Sequence, residues 1–349
     1  MSDAALDDFY AELHRHHLEA LWRINTKIMP FQPKPRALAW KWRYEDLARL
    51  AELAGKLVPI DRGGDRRVLA AINPGLVEAY GDSVYGATAT LWGAVQFLGP
   101  HESAPGHRHS PSALRFVVEG SGAWTTVDGE RLTMAPGDLV LTPAYAWHDH
   151  QNDSDEPMTW FDGLDLPLAC YLDAQFFEFY PSGELQAPGC GGTPPPAGAQ
   201  PGRRSGVLRY CWDATEVALD AMRDHPDPHD DVLLRYSDAD RRPVLPTLDA
   251  AIQLLRAGVR TMPHRHVHSV VYQAFRGRGE TIVDGVRFAW ERGDIFALPP
   301  WAVHEHHAPD GDALLFSITD APVLTALGLE RVLGLDAPQP VTGDFDPSR

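Results

Sequence analysis

Gly106-His107-Arg108-His109, followed by Gly120-Ser121-Gly122, Asp128-Gly129, Pro136-Gly137-Asp138 and Trp147-His148-Asp149-His150, decides the fold, because most of this pattern occurs twice. A shift of 157 positions carries Gln96 onto Gln253, Leu98 onto Leu255, His107 onto His264, His109 onto His266, Gly120 onto Gly277 and Gly122 onto Gly279. One residue is then lost from the second copy. A shift of 156 carries Asp128-Gly129 onto Asp284-Gly285, Gly137-Asp138 onto Gly293-Asp294, Pro143 onto Pro299, His148 onto His304 and His150 onto His306. Two copies of one domain follow from this register.

The texture of each copy is β. From Arg67 onward, short runs rich in Val, Leu, Thr and aromatic residues (Val68-Leu69, Thr88 to Leu98, Ala113 to Val118, Ala123 to Val127, Asp138 to Thr142) are separated by Gly-Pro, Asp-Gly and Pro-Gly turns, the pattern of antiparallel strands rather than of βαβ units. The same texture returns from Thr247 to Thr319. Outside it, residues 4–24 space Leu6, Phe9, Tyr10, Leu13, Leu21 and Trp22 as one amphipathic helix, Tyr44 to Leu53 as a second and Val323 to Leu333 as a third. Half of residues 181–206 are Pro or Gly, a composition suited to a connector rather than a core. The expected organisation is a helical extension over 1–60, a first β domain over 61–180, a Pro/Gly-rich linker over 181–206, a second β domain over 207–335 and a tail over 336–349.

With 349 residues, 31 Lys+Arg against 48 Asp+Glu and a formal charge of −17, the chain is large enough for two cores and too acidic overall for bulk attraction to nucleic acid or anionic lipid. Three cysteines (Cys170, Cys190, Cys211) without C-x-x-C spacing give neither a disulfide framework nor a zinc knuckle. The acidic opening Met1-Ser2-Asp3-Ala4-Ala5-Leu6-Asp7-Asp8 lacks the basic and apolar regions of a leader, and the apolar-leaning stretch from Tyr85 to Pro100 is too short to span a bilayer. No nucleic acid or membrane partner is expected, and a cytoplasmic location is.

Sixteen histidines would produce roughly one His-x-His pair by chance. His14/His16 is read that way: on a helix, i and i+2 point to different faces, so the pair is assigned to solvent. His107 and His109 sit at the edge of a β-run, where i and i+2 project to one side, about 6.6 Å apart along the strand. Antiparallel return of the chain after Pro136-Gly137-Asp138 brings His148 beside them, giving three imidazoles for one ion. His264, His266 and His304 repeat the set as a possible second metal site.

Taken in order, Gly106-His107-Arg108-His109, Pro136-Gly137-Asp138 and Trp147-His148 resemble the two-part motif of the cupin superfamily. His107-Arg108-His109, Arg115-Phe116, Glu119-Gly120-x-Gly122-Ala123, Trp147-His148-Asp149-His150 and Asp162-Gly163-Leu164-Asp165-Leu166-Pro167-Leu168 resemble, more narrowly, the gentisate 1,2-dioxygenase family, over about Arg67 to Leu333. The resemblance implies a mostly β bicupin of two double-stranded β-helix (jelly-roll) barrels with an N-terminal helical extension. It also implies Fe(II), an aromatic hydroxy-acid substrate, dioxygen, and a homo-oligomer, with a tetramer favoured. The expected reaction is ring opening of gentisate between the carboxyl-bearing and adjacent hydroxyl-bearing carbons to maleylpyruvate. Salicylate, a substituted salicylate and 1-hydroxy-2-naphthoate share the same chelating oxygens, and a non-catalytic binding or storage cupin is the reading of another class. The glutamate of the general cupin pattern is absent, Ala113 and Leu114 standing in its place. Three neutral imidazoles leave a divalent ion its full charge and an open side for an anionic bidentate ligand. Spacing alone does not choose iron over manganese, nickel, copper or zinc.

Arg115 lies six residues beyond His109, an even spacing that directs it into the same interior. There it is either the partner of an internal acid or a clamp for a substrate carboxylate. Its counterpart is Tyr272, which assigns the substrate to the first copy. Gln96 is read as a donor to the bound substrate and Trp92 as a wall for its ring. His150 is read as an acid/base group or an orienting donor. By the resemblance, Asp162 lies near the bound ring and Arg67 is a further substrate contact.

Overall fold

The strand Ala113–Glu119 shows how an apolar run becomes a two-sided wall. Alternate residues Leu114, Phe116 and Val118 join a core shared with the second copy, whereas Val117 faces the interior of its own barrel. The second copy does the same, with Val271 and Phe275 in the shared core and Val270, Tyr272 and Ala274 turned inward. Both faces are dry, so the sequence reads as nearly continuous hydrophobics rather than as an alternation. Phe116 stacks on Phe316 at 4.0 Å between ring centroids and meets Phe275 edge-on at 5.0 Å, joining the two sheets. An Arg at position 115, out of phase with these phenylalanines, is thereby committed to the barrel interior.

The computed structural model describes residues 3–58, 67–81, 85–181, 183, 185–187, 189, 195–199, 206–237 and 240–347. Two jelly-roll barrels, each of two sheets that are antiparallel except where Gly343–Asp344 pairs parallel with Val286–Glu291, form the body from Arg36 onward, as expected for a bicupin. In the first, one sheet runs Arg209–Tyr210, Leu139–Thr142, Ala113–Glu119, Met158–Leu164, Trp92–Leu98, Val68–Ala70. The other runs Phe177–Phe179, Ser103–His109, His148–Asn152, Ala123–Val127, Glu130–Thr133. In the second barrel the orders are Trp40–Trp42, Ile295–Leu298, Val270–Arg276, Ala313–Thr319, Asp249–Leu255, Val232–Arg235 and Val332–Gly334, His264–His266, His304–His307, Arg278–Val283, Val286–Glu291, Gly343–Asp344.

Each barrel thus borrows an edge strand from the chain ahead of the other. Trp40–Trp42 pairs with Ile295–Ala297 of the second barrel, and Arg209–Tyr210 with Leu139–Val140 of the first. The repeated Gly-Asp turn receives the helix after each borrowed strand. Asp294 accepts the backbone N–H of Tyr44, first residue of helix Tyr44–Leu57, and Asp138 that of Trp212, first residue of helix Trp212–Met222, both at 2.8 Å. Gly293 and Gly137, both with φ near +90°, have no room for a β-carbon against Tyr44 and Trp212. A second reciprocal contact closes the junction: Thr90 donates to Asp320 of the second barrel, and Thr247 donates to Asp165 of the first.

The helical expectations need two corrections. The helix read over residues 4–24 is two, Asp3–Arg15 and Leu21–Ile28, interrupted where His17 turns left-handed at φ 55° and the Leu18 N–H closes onto Leu13. These helices belong to a separate unit ending at Pro35. The helix read over Val323 to Leu333 spans only Ala321–Ala326. Gly328, at φ 70°, reverses the chain, and Val332–Gly334 becomes an edge strand beside His264–His266. The connector read over 181–206 falls partly outside the described residues, but within it Gln186 is buried and holds Asp149, Thr126 and Gly129. Gln339, in the segment read as a tail, holds Glu305, Ile282 and Gly285 in the same way. Among the described residues no helix is long and apolar enough to cross a membrane.

Candidate active site

Strand Ser103–His109 places His107 and His109 on one side, and its antiparallel neighbour His148–Asn152 sets His148 directly across from His107. Ring centroids lie 4.1 Å (His107–His148), 4.8 Å (His109–His148) and 5.6 Å (His107–His109) apart, and one nitrogen from each ring lies within 4.8 Å of the others. Every Nδ1 faces a backbone carbonyl: His107 to Pro105 at 3.2 Å, His109 to Pro111 at 2.7 Å, His148 to Ala146 at 3.1 Å. A carbonyl only accepts, so Nδ1 carries the proton and Nε2 keeps its lone pair, the tautomer a metal requires. Nε2 of His148 is fully buried and lacks a protein partner. Burial first, then the neighbouring His107, His109, Arg115 and His150, hold His148 well below the ordinary imidazole range, hence neutral. These residues fit a divalent ion bound by three neutral nitrogens with one side open.

Arg115 lies opposite Asp162 in the strand pairing. Its Nη1 donates to the Thr142 hydroxyl at 2.6 Å, and its Nε lies 3.4 Å from an Asp162 oxygen that also accepts the Trp160 indole N–H at 3.2 Å. The two readings of Arg115 therefore converge on one group, an internally paired guanidinium that also lines the cavity beside the histidines. Burial pushes the Asp162 carboxyl up to about 6, against the pull of Arg115, and lowers Arg115, against the pull of Asp162. An incompletely satisfied buried pair of this kind has attraction left for an incoming anion.

The cavity measures about 240 Å³; a site of roughly 150 Å³ holds benzene, so a ring bearing a carboxylate and hydroxyls has room. Trp92, Leu164, Leu166 and Phe177 supply apolar wall, while Gln96, Arg115, His150 and Asp162 supply polar groups. His150 lies with Nδ1 2.8 Å from the Thr125 hydroxyl. The structure brings Trp92, Gln96, Arg115, His150 and Asp162 around the triad as the sequence suggests, but not Arg67. That side chain turns instead to Glu102, to the Gly55 carbonyl at 3.1 Å and over the Phe97 ring, because position 67 is out of phase with Val68, which does line the cavity. Residues not singled out beforehand are Thr142, Trp160, Leu164, Leu166 and Phe177. Phe177 comes from an edge strand beside Ser103–His109 and stacks on His107 at 5.4 Å; no local sequence signal marks it. His14 and His16 are exposed, near Glu19 and Glu12.

Two barrels, with a triad of imidazoles in the first that could hold a metal ion and a buried guanidinium beside it, define a bicupin. The cupin domain family matches residues 94–164. A gentisate 1,2-dioxygenase from Streptomyces sp is 41% identical, covering 93% of this chain and 94% of its own length. A 5-aminosalicylate 1,2-dioxygenase from Comamonas sp is 36% identical over 98% and 94%. Among solved structures, the salicylate 1,2-dioxygenase of Pseudoaminobacter salicylatoxidans with gentisate superposes with a TM-score of 0.82 at 36% identity, covering 95% of this chain and 94% of that one. The chain belongs to the gentisate 1,2-dioxygenase family of bicupins, and it is a ring-cleaving dioxygenase of aromatic substrates.

Proposed function

We propose that the protein is an Fe(II)-dependent dioxygenase that opens gentisate between its carboxyl-bearing and adjacent hydroxyl-bearing carbons to give maleylpyruvate, consuming one dioxygen and placing both oxygen atoms in the product. The observation that carries this reading is the buried Arg115, set in the same cavity as His107, His109 and His148. His107, His109 and His148 would hold a ferrous ion, which would supply the redox chemistry that dioxygen needs to react with an aromatic ring.

The chain's own groups do the remaining work. Arg115 meets the substrate carboxylate and fixes which end of the ring faces the histidines. Thr142 and Asp162 hold the guanidinium in place before substrate arrives, so little reorganisation is needed on binding. Trp92, Leu164 and Phe177 exclude water and confine the ring between apolar surfaces. Gln96, which lines the same cavity, bonds a ring oxygen. Asp162, whose carboxyl burial lifts to about 6, and His150, braced by Thr125, are the groups able to take a phenolic proton and return it to the product.

Oxygen uptake by iron-loaded protein with gentisate, salicylate, 5-aminosalicylate and 1-hydroxy-2-naphthoate tests the assignment. Gentisate is expected to show the highest kcat/KM; a preference for another member moves the substrate, and no uptake with any of them overturns the reading.

A further inference from the structure

The second barrel repeats the triad almost to the tenth of an ångström. His264–His266, His264–His304 and His266–His304 centroids lie 5.5, 4.2 and 4.8 Å apart, against 5.6, 4.1 and 4.8 Å in the first. Their ligand nitrogens also fall within 4.8 Å of one another, and all three rings are buried. Nδ1 of His304 lies 3.1 Å from the Ala302 carbonyl and that of His266 2.9 Å from the His268 carbonyl, which again leaves Nε2 as the lone-pair atom. Nε2 of His304 is wholly buried without a protein partner. Leaving such an atom unsatisfied is costly.

The surroundings of the second triad differ in a consistent direction. Tyr272 occupies the place of Arg115, Ser317 that of Asp162 and Leu298 that of Thr142, so the buried guanidinium and both groups that hold it are gone together. Val332, paired with His266, takes the place of Phe177, paired with His109, and His229 lines the second cavity with Asp227 and Asp230. The His229 ring stands 5.4 Å from His264, and its Nδ1 takes the Met262 carbonyl, the counterpart of the Pro105 carbonyl that anchors His107. Among the described residues the one guanidinium lining this cavity, Arg235, is more than half exposed and faces Asp249 at 3.9 Å. The carboxylates of Asp227 and Asp230 repel an aromatic carboxylate and favour a cation.

We propose that the second barrel is a metal site in its own right, binding one divalent transition-metal ion through His264, His266 and His304 in a cavity that rejects the aromatic acid. Each chain then carries two ions of unlike accessibility, one exposed to substrate and one not. This inference does not depend on which aromatic acid the first barrel takes.

The test is metal stoichiometry on the full chain. Stripped protein titrated anaerobically with Co(II), read by its ligand-field bands and by elemental analysis after gel filtration, is expected to saturate at two ions per chain. It is expected to saturate at one in H304Q and at one in H107Q. Adding gentisate to the Co(II) form of H107Q, whose ion sits in the second barrel, is expected to leave the bands unmoved, whereas the same addition to H304Q shifts them. Wild-type protein saturating at one ion overturns the proposal even if H304Q fails to fold. If that single ion is lost in H107Q, the first-barrel centre stands while the second falls. Two ions in H304Q, or a gentisate shift in H107Q, also overturns it.

Discussion

The two barrels share a frame, a Gly-Asp turn, a borrowed strand and three histidines, yet differ in what surrounds those histidines. Around the first, Arg115, Thr142 and Asp162 form a connected buried set; around the second, the equivalent positions are Tyr272, Leu298 and Ser317. The repeated part builds two barrels and two histidine triads that could each hold a metal ion. The divergent part is what chooses a ligand. A duplicated fold can thus keep two ligand triads while only one cavity acquires the electrostatics to hold an organic anion.

The largest contrast is expected from the triads themselves. His107→Ala should remove the first-barrel ion and ring cleavage together, measured by elemental analysis and oxygen uptake; undiminished turnover breaks the assignment of chemistry to that barrel. Next comes Arg115→Lys, which keeps the charge but loses the forked donor geometry. A fall in kcat/KM on the order of a thousandfold is expected, in line with disturbing a buried charge pair. Tyr272→Phe, at the matching position, should leave steady-state kinetics within about twofold, since a buried tyrosine far from the first cavity touches no substrate. Equal effects at 115 and 272 would mean that both barrels turn over.

The reciprocal threonine contacts offer a smaller and symmetric effect. Thr90→Val and Thr247→Val each remove one hydroxyl donor to a buried carboxylate, Asp320 and Asp165 respectively. A loss of about 2 kcal/mol in unfolding free energy is expected from each, and clearly unequal losses would show that the junction is not two-fold in energy. An effect of similar size concerns pH. Burial lifts the Asp165 carboxyl to about 6, against the pull of Thr247 and Ser112, so the folded state binds this proton more tightly than the unfolded chain. Its contribution therefore penalises the folded state progressively as pH rises from about 4 to about 6, by up to about 3 kcal/mol, and is constant above. Asp165→Asn should flatten urea-unfolding midpoints across that window, and an unchanged pH profile would contradict the account.

The triads and barrels are legible in the sequence because their signals are local or periodic. The spacing of His107 and His109 selects one strand face, and the repeat register, 157 residues and then 156 after one deletion, runs through the second copy. Arg115 is legible for the same reason, a matter of phase along one strand. What escapes depends on contacts between distant segments. Trp40–Trp42 and Arg209–Tyr210 are too short to announce themselves as strands and are fixed by pairing with the opposite barrel. Val332–Gly334 looks helical because Leu and Val recur at helical spacing, yet Gly328 and pairing with His264–His266 override propensity. Arg67 misleads because a motif match says nothing about phase, and one residue of offset turns it from the cavity to Glu102. His229 lies outside the repeated register, so comparing the two copies cannot find it.

The central claim is that the aromatic acid binds only in the first barrel, its carboxylate on Arg115. An anaerobic crystal structure of the iron-loaded protein with gentisate tests it most directly. The account expects ligand density between Arg115 and the His107, His109, His148 triad, with none in the cavity bounded by Tyr272 and Asp230. Density in the second cavity, or a carboxylate turned away from Arg115, would contradict it.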